Sequence, residues 1–343
     1  MDTCAFRKKL KRNFVIICFA TLTLSAMTSC ASKRITAEMP REIDCGKCGS
    51  YAMLDGVLYY TNERFYDRCL SRIDKDGEKK ICDKSDINCR LEDKVQSYNG
   101  SLIFSGRNSG NTLFFTYDPK SEMIEKLAVV KGLTYYWCRR DNRIYYLTYG
   151  ENDFVYTLNC CDIETGTCTA VGGSVIDFII SNNSLVYVSK NESKYSVLKE
   201  TRGDKFELYS FSCDSEHVPS FALSTEACVA YYYGEFAKLI TFENGATLDL
   251  DKDIDGAILS GDTVYYICYC RKDEYKNPDP TGLYVQKAEN REATLLTNIL
   301  DTPRLICAYS NGTVLLEQKA GRIRTHIELS LIDDQEEMLV ARC

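Results

Sequence analysis

The chain has 343 residues, of which 45% are hydrophobic, and 49 acidic against 42 basic residues give it a formal net charge of −7. Beyond a short basic head the positive residues are dispersed, which excludes a nucleic-acid binder built on a basic patch. Tyrosine is abundant at 24, tryptophan occurs once, and six prolines leave no low-complexity linker, so a globular body is expected.

In chain order, Arg7, Lys8, Lys9, Lys11 and Arg12 form the basic head, and residues 14–27 follow as an apolar run. Thr28-Ser29-Cys30-Ala31 then supplies small residues. This is the layout of an export signal. The run of about 14 residues is shorter than the roughly 20 that a spanning helix needs. Met27-Thr28-Ser29-Cys30 resembles the bacterial lipobox. The resemblance implies cleavage before Cys30, acylation of its thiol, and a lipid anchor on the extracytoplasmic face of the cell membrane. Plain cleavage after Ala31 remains the alternative, because Ser29-Cys30-Ala31 also has small residues at that spacing. The expected division is a leader at 1–29, a polar lipidated tether at 30–46, and a folded body at 47–343.

Cys4 and Cys18 would leave with the leader, and Cys30 would be acylated. An odd number of the 18 cysteines then remains, so at least one thiol is free or pairs between chains. An exported protein can oxidise the others. Zinc is the competing use. Cys45 and Cys48 have half-site spacing, but no second such pair follows, and His217 and His326 are the only histidines.

The body carries a recurring turn followed by an apolar strand. It begins at Asp55-Gly56, Asn99-Gly100, Asp141-Asn142, Asn182-Asn183, a degenerate Glu226-Ala227, Gly261-Asp262 and Asn311-Gly312. The mean spacing is about 43 residues, the length of one four-stranded propeller blade. A second marker keeps the same order: Asp74, Asp118, Asp162, Glu200, Glu243, Glu289 and Asp333 each close a strand and open another turn. Gly and Asn there supply positive φ, and Asp bonds the backbone two residues on. Strands such as Ile144-Tyr145-Tyr146-Leu147 are apolar on both faces, which suits the middle of a blade sandwiched between two others. The expectation is all-β: a single β-propeller of four-stranded blades, with seven favoured and six or eight open.

Cysteine positions bear on strand register. Cys69 and Cys82 are equidistant from the turn at Asp74–Gly77, which suits a cross-strand disulfide. Cys168 lies similarly opposite Cys161 or Cys160, the choice depending on a one-residue bulge. The alternative is buried thiols packed as small apolar side chains.

Leu58-Tyr59-Tyr60-Thr61-Asn62 followed by Leu70-Ser71-Arg72-Ile73-Asp74-Lys75-Asp76-Gly77 resembles one YWTD-type repeat, as found in lipoprotein-receptor propellers and bacterial lipoproteins. The match covers roughly residues 52–83 and implies a binding scaffold without enzymatic activity.

Other motifs are sparse. Asp251, Asp253 and Asp255 with Gly256 and Asp262 have calcium-loop spacing, against the plain reading of an acidic connection. Asn99, Asn182, Asn191 and Asn311 begin glycosylation sequons, which turn chemistry already explains for all but Asn191. Tyr231-Tyr232-Tyr233 could line a sugar or peptide surface, or pack between blades. No nucleophile elbow and no phosphate-cradling loop occur. A binding module for a protein, peptide or glycan is therefore expected. The alternative is a polysaccharide-cleaving hydrolase that draws two carboxylates from different blades to the channel.

Overall fold

The computed structural model describes residues 49–342, apart from 65–66, 150–154, 182–183, 214–217, 252, 269–281, 291, 299–303, 309–313, 321–325 and 334–335. The leader, the tether with Cys30, Cys45, Cys48, His217, Asn182 and Asn311 all lie outside the described residues.

Every sheet is an antiparallel meander. The first contains β1 (Tyr51–Leu54), β2 (Val57–Arg64), β3 (Asp67–Asp74) and β4 (Gly77–Cys82). After a one-turn helix α1 (Lys84–Ile87) comes the second sheet: β5 (Arg90–Tyr98), β6 (Ser101–Asn108), β7 (Asn111–Asp118) and β8 (Met123–Lys131). A seven-stranded sheet follows. It holds β9 (Thr134–Arg140), β10 (Arg143–Tyr149), β11 (Tyr156–Asp162), β12 (Cys168–Ser181), β13 (Ser184–Asn191), β14 (Lys194–Thr201) and β15 (Asp204–Ser212). Next are β16 (Ser220–Leu223), β17 (Ala227–Tyr232), β18 (Phe236–Thr241) and β19 (Thr247–Asp249). Then come β20 (Ile254–Ser260), β21 (Thr263–Cys268), β22 (Gly282–Lys287) and β23 (Thr294–Asn298). The last sheet is β24 (Arg304–Ala308), β25 (Val314–Ala320), β26 (His326–Asp333) and β27 (Glu336–Arg342).

The turn chemistry read from sequence is what closes the hairpins. Asp55 and Gly56 have φ of 52° and 75°, and Asn99 and Gly100 have 49° and 72°. Two successive positive φ values match the right-handed twist of the flanking strands. The acidic marker ends the third strand of its meander: Asp74 Oδ1 accepts from Asp76 N–H at 2.8 Å, Asp118 Oδ1 from Lys120 N–H at 2.9 Å, and Asp162 Oδ1 from Thr165 N–H at 2.9 Å. The degenerate copy has a physical cause. Between β16 and β17 the turn is built by a side chain: Ser224 Oγ accepts from the amides of Glu226 at 3.2 Å and Ala227 at 3.0 Å. No positive φ is needed there, so the Asn/Asp-Gly signature is absent.

The seven-stranded sheet is where the four-strand reading meets an unbroken strand. β12 runs 14 residues, pairing with β11 through its first half and β13 through its second. It turns the corner at Gly172-Gly173-Ser174, where Ser174 has φ 54° and the register shifts on both sides. One strand thus serves as the last of one meander and the first of the next.

Successive meanders, with β12 counted as the first strand of the one it opens, pack through their first strands: β1 touches β5, β5 touches β9, β9 touches β12, β12 touches β16, β16 touches β20, and β20 touches β24. Each adjacent pair shares its own core. Ile103 and Phe114 of the second sheet pack with Trp137, Ile144 and Tyr146. On the other face of the same strand, Leu147 packs with Phe178 and Tyr187. This is why middle strands lack polar alternation: both faces are interior. Each fully buried Leu or Phe contributes roughly 2 kcal/mol on area grounds.

Gly245 is held at a point of close approach. Its φ is 69°, and an added Cβ would sit 2.6 Å from the carbonyl oxygen of Leu208. Gly245→Ala is expected to cost about 2 kcal/mol, from strain plus overlap. The check is a lower urea midpoint with an unchanged slope.

Candidate functional site

A repeated irregularity marks one end of the inner strands. The register shifts near the start of β5, β9, β20 and β24, and again where β12 begins its second half. All of these lie at the end away from the first hairpin turn. Bulges re-aim side chains, and they gather at barrel rims and binding sites.

In β5 the bulge carries Glu92, Asp93 and Lys94, which part in three directions. Glu92 is buried, pairs with Arg107 Nε and accepts from Ser105 Oγ–H at 2.7 Å. Ser105 Oγ in turn accepts from Trp137 Nε1–H at 3.2 Å. Asp93 pairs with Arg68 of the first sheet at 3.4 Å. Lys94 reaches the seven-stranded sheet, where its ammonium lies 5.2 Å and 4.9 Å from the ring centres of Tyr135 and Tyr136.

Those rings belong to a tyrosine cluster. Tyr135 stacks on Tyr156 with centroids 4.7 Å apart and planes 9° from parallel. Tyr149 meets both edge-on, at 6.2 Å and 5.7 Å. The origins of the three rings explain the meeting. Tyr135 sits in the β9 bulge, while Tyr149 and Tyr156 are a facing pair closing β10 and β11. Tyr149 is 63% exposed, unusual for so large a ring. Beside it, burial and then the neighbouring Tyr135 push the Tyr156 phenol up to about 12, with Asp177 contributing in the same direction. Asp177 is itself buried in the β12 irregularity and accepts from Phe178 N–H at 2.8 Å. The cluster offers an aromatic surface bordered by one ammonium and one carboxylate.

A concavity lies at the opposite end, on the face of the seven-stranded sheet. This groove of about 610 Å³ is lined by Arg143, Tyr145, Cys160, Asp162, Glu200 and Arg202 among others. Its two guanidinium groups are matched by two carboxylates, and Asp162 is committed to its own turn.

The residues singled out from sequence are placed as follows. Cys161 pairs directly with Cys168. Cys82 pairs with Leu70, because a one-residue bulge in β4 shifts the register away from Cys69. Both are buried, and burial pushes the Cys82 thiol up to about 12. Asp251 and Asp253 precede β20, Asp251 Oδ1 accepting from Asp253 N–H at 2.9 Å. Asp255 lies within β20 and Asp262 beyond it, so the four carboxylates are strung along extended chain rather than curled to one point. The stretch from Asp255 to Asp262 alone spans about 23 Å. Among the described residues no three His, Cys, Asp or Glu side chains cluster as a metal site. His326 opens β26. Tyr231 packs in the core between the fourth and fifth sheets, and burial raises its phenol. Tyr232 and Tyr233 are half-buried beside it, and the cluster of exposed Tyr149 with half-buried Tyr135 and Tyr156 was indicated by no sequence spacing. The available signal was a tyrosine at each end of the connection between β10 and β11.

No family model and no curated protein matches the chain. Among solved structures it is similar to the β-propeller domain of the trilobed protease from Pyrococcus furiosus, with TM-score 0.56 and 11% identity over 90% of this chain and 97% of that one. It is also similar to an acylaminoacyl peptidase, with TM-score 0.58 and 12% identity over 91% of this chain and 53% of that one. For puromycin hydrolase the TM-score is 0.59 and the identity 10%, over 89% and 57%. The chain thus spans little more than half the length of the last two. At such identities the likeness concerns the fold alone: the chain is an all-β protein with the β-propeller fold, its sheets antiparallel.

Proposed function

We propose that the chain is a seven-bladed propeller, anchored through a lipid on Cys30 to the extracytoplasmic face of a membrane, which binds a glycan without cleaving it. Dividing β12 between two blades turns the seven-stranded sheet into blades three and four, so six sheets become seven blades. The first blade keeps the YWTD-like motif from Leu58 to Gly77. Lipidation rests on the Met27–Cys30 motif.

The observation that carries the binding reading is the tyrosine cluster at the inner strand ends. Aromatic faces accept the C–H face of a sugar ring, while bordering charged groups take its hydroxyls. The cation position over Tyr135 and Tyr136 is already filled by Lys94, so the occupant is neutral or acidic rather than cationic. Binding is favoured over hydrolysis because the nearby carboxylates are engaged: buried Asp177 by the Phe178 N–H, Glu92 by Arg107 and Ser105, and Asp93 by Arg68.

Calorimetric titration of the mature chain with neutral and uronic-acid oligosaccharides tests this. Saturable heat with no new reducing ends is expected. Release of reducing ends would replace the reading with a hydrolase, and binding of acidic peptides instead would replace the ligand. For the anchor, Cys30→Ala is expected to move the protein from the membrane fraction to the soluble one. A membrane-bound Cys30→Ala protein would contradict it.

A further inference from the structure

Cys161 and Cys168 face each other across β11 and β12, held by a tightly bonded turn. Asp162 N–H donates to Thr167 O at 2.9 Å, and Gly166 N–H donates to Asp162 O at 2.9 Å. Asp162 Oδ1 also accepts from the Thr165 hydroxyl at 3.0 Å. Asp162 N–H thus bonds Thr167 O, while Gly166 in place of Thr167 returns the bond to Asp162 O and Thr167 N–H donates to Thr165 Oγ, a bulged hydrogen-bonded position that closes the ladder. The next pair outward is non-hydrogen-bonded, where Cα atoms approach to about 4.5 Å. A disulfide spans that separation without moving the backbone.

The two neighbouring thiols have different surroundings. Cys161 is buried with Ile144, Tyr146 and Trp137, whereas Cys160 lines the groove on the other face with Tyr145 and Thr169. Successive strand residues point to opposite faces, so Cys160 is turned away from Cys168. Cys168 is exposed and donates toward the Gly166 carbonyl at 3.8 Å. Both Cys161 and Cys168 are present as thiols.

We propose that Cys161 and Cys168 form a dithiol–disulfide site that takes a disulfide donor as its oxidant. Cys168 starts the exchange because solvent reaches it. Its thiolate attacks one sulfur of the donor, forming a mixed disulfide and expelling the other half as a thiolate. Cys161 then loses its proton and attacks Cys168 Sγ, expelling the second half. Two protein thiols become one disulfide, the donor is reduced to two thiols, and the two protons released end on those thiols. Burial, with the Cys168 sulfur adjacent, pushes the Cys161 thiol up to about 12, which suits it to the second step rather than the first. The exposed position makes the bond the labile kind, reopened by a thiol reductant.

The test treats the mature chain with oxidised glutathione, caps remaining thiols by alkylation, and maps peptides after cleavage at Asp162 or Glu164. A single Cys161–Cys168 link is expected, lost on return to reduced glutathione. Cys160→Ser should leave the link intact. Cys168→Ser, at an exposed site that folding tolerates, should abolish it. Cys161→Ser should strand a glutathione adduct on Cys168. A Cys160–Cys168 link, full alkylation of both residues after oxidant, or no adduct in Cys161→Ser would overturn the proposal.

Discussion

Replacing Trp137 by alanine is expected to lower the unfolding free energy by about 4 kcal/mol. The indole has no exposed surface and lies edge-on to Phe114 of the preceding sheet, with centroids 5.3 Å apart at 76°. It therefore forms part of the contact between two sheets rather than filling space within one. Truncation opens a cavity between β7 and β9, which backbone-paired strands cannot collapse to fill. It also removes the donor to Ser105, whose oxygen links the indole to buried Glu92. Trp137→Phe restores most of the volume but no N–H, so about half the loss is expected to return. Denaturant titration followed by far-ultraviolet circular dichroism measures both. A loss below about 1 kcal/mol for the alanine variant would mean that the two sheets are not packed as described.

Tyr149→Ala is expected to weaken oligosaccharide binding about 30-fold while leaving the denaturation midpoint nearly unchanged. An exposed aromatic at the centre of a contact typically carries about 2 kcal/mol, equivalent to that ratio. The ring is 63% exposed, so the free protein loses little packing. Tyr156→Ala has a different signature. Tyr156 stacks face to face on Tyr135, and its loss should affect stability and binding together. Lys94→Met separates charge from bulk: it removes the ammonium over Tyr135 and Tyr136 while keeping an unbranched apolar stem. Equal affinity in wild type and Tyr149→Ala would remove the cluster from the binding site.

Much of the fold was legible because hairpin chemistry is local. Asp55-Gly56 and Asn99-Gly100 announce positive φ in two adjacent residues, and Asp74, Asp118 and Asp162 announce a side chain that bonds the next turn's amides. The first of these signals failed where another group did the same work, as at Ser224. Register was less legible. Symmetry about Asp74–Gly77 placed Cys69 against Cys82, but a single extra residue in β4 moved Cys82 opposite Leu70. The same uncertainty at Cys160 and Cys161 was settled by the Asp162–Thr167 bond, which no spacing rule predicts. The candidate site was the least legible part. Tyr135, Tyr149 and Tyr156 converge from three strands, and Lys94 arrives from another sheet through a bulge. The calcium spacing shows the converse: Asp251, Asp253, Asp255 and Asp262 have the intervals of a curled loop, but Ile254–Ser260 pairs with β21 and keeps the chain extended.

The proposed ligand-binding surface is the tyrosine cluster at the inner strand ends. Hydroxyl-radical footprinting of the mature chain, with and without a saturating oligosaccharide, tests it most directly. Protection of Tyr149 is expected, with Tyr135 and Tyr156 following it, and no change at Tyr145 in the groove. Protection at Tyr145 with Tyr149 still fully oxidised would contradict it.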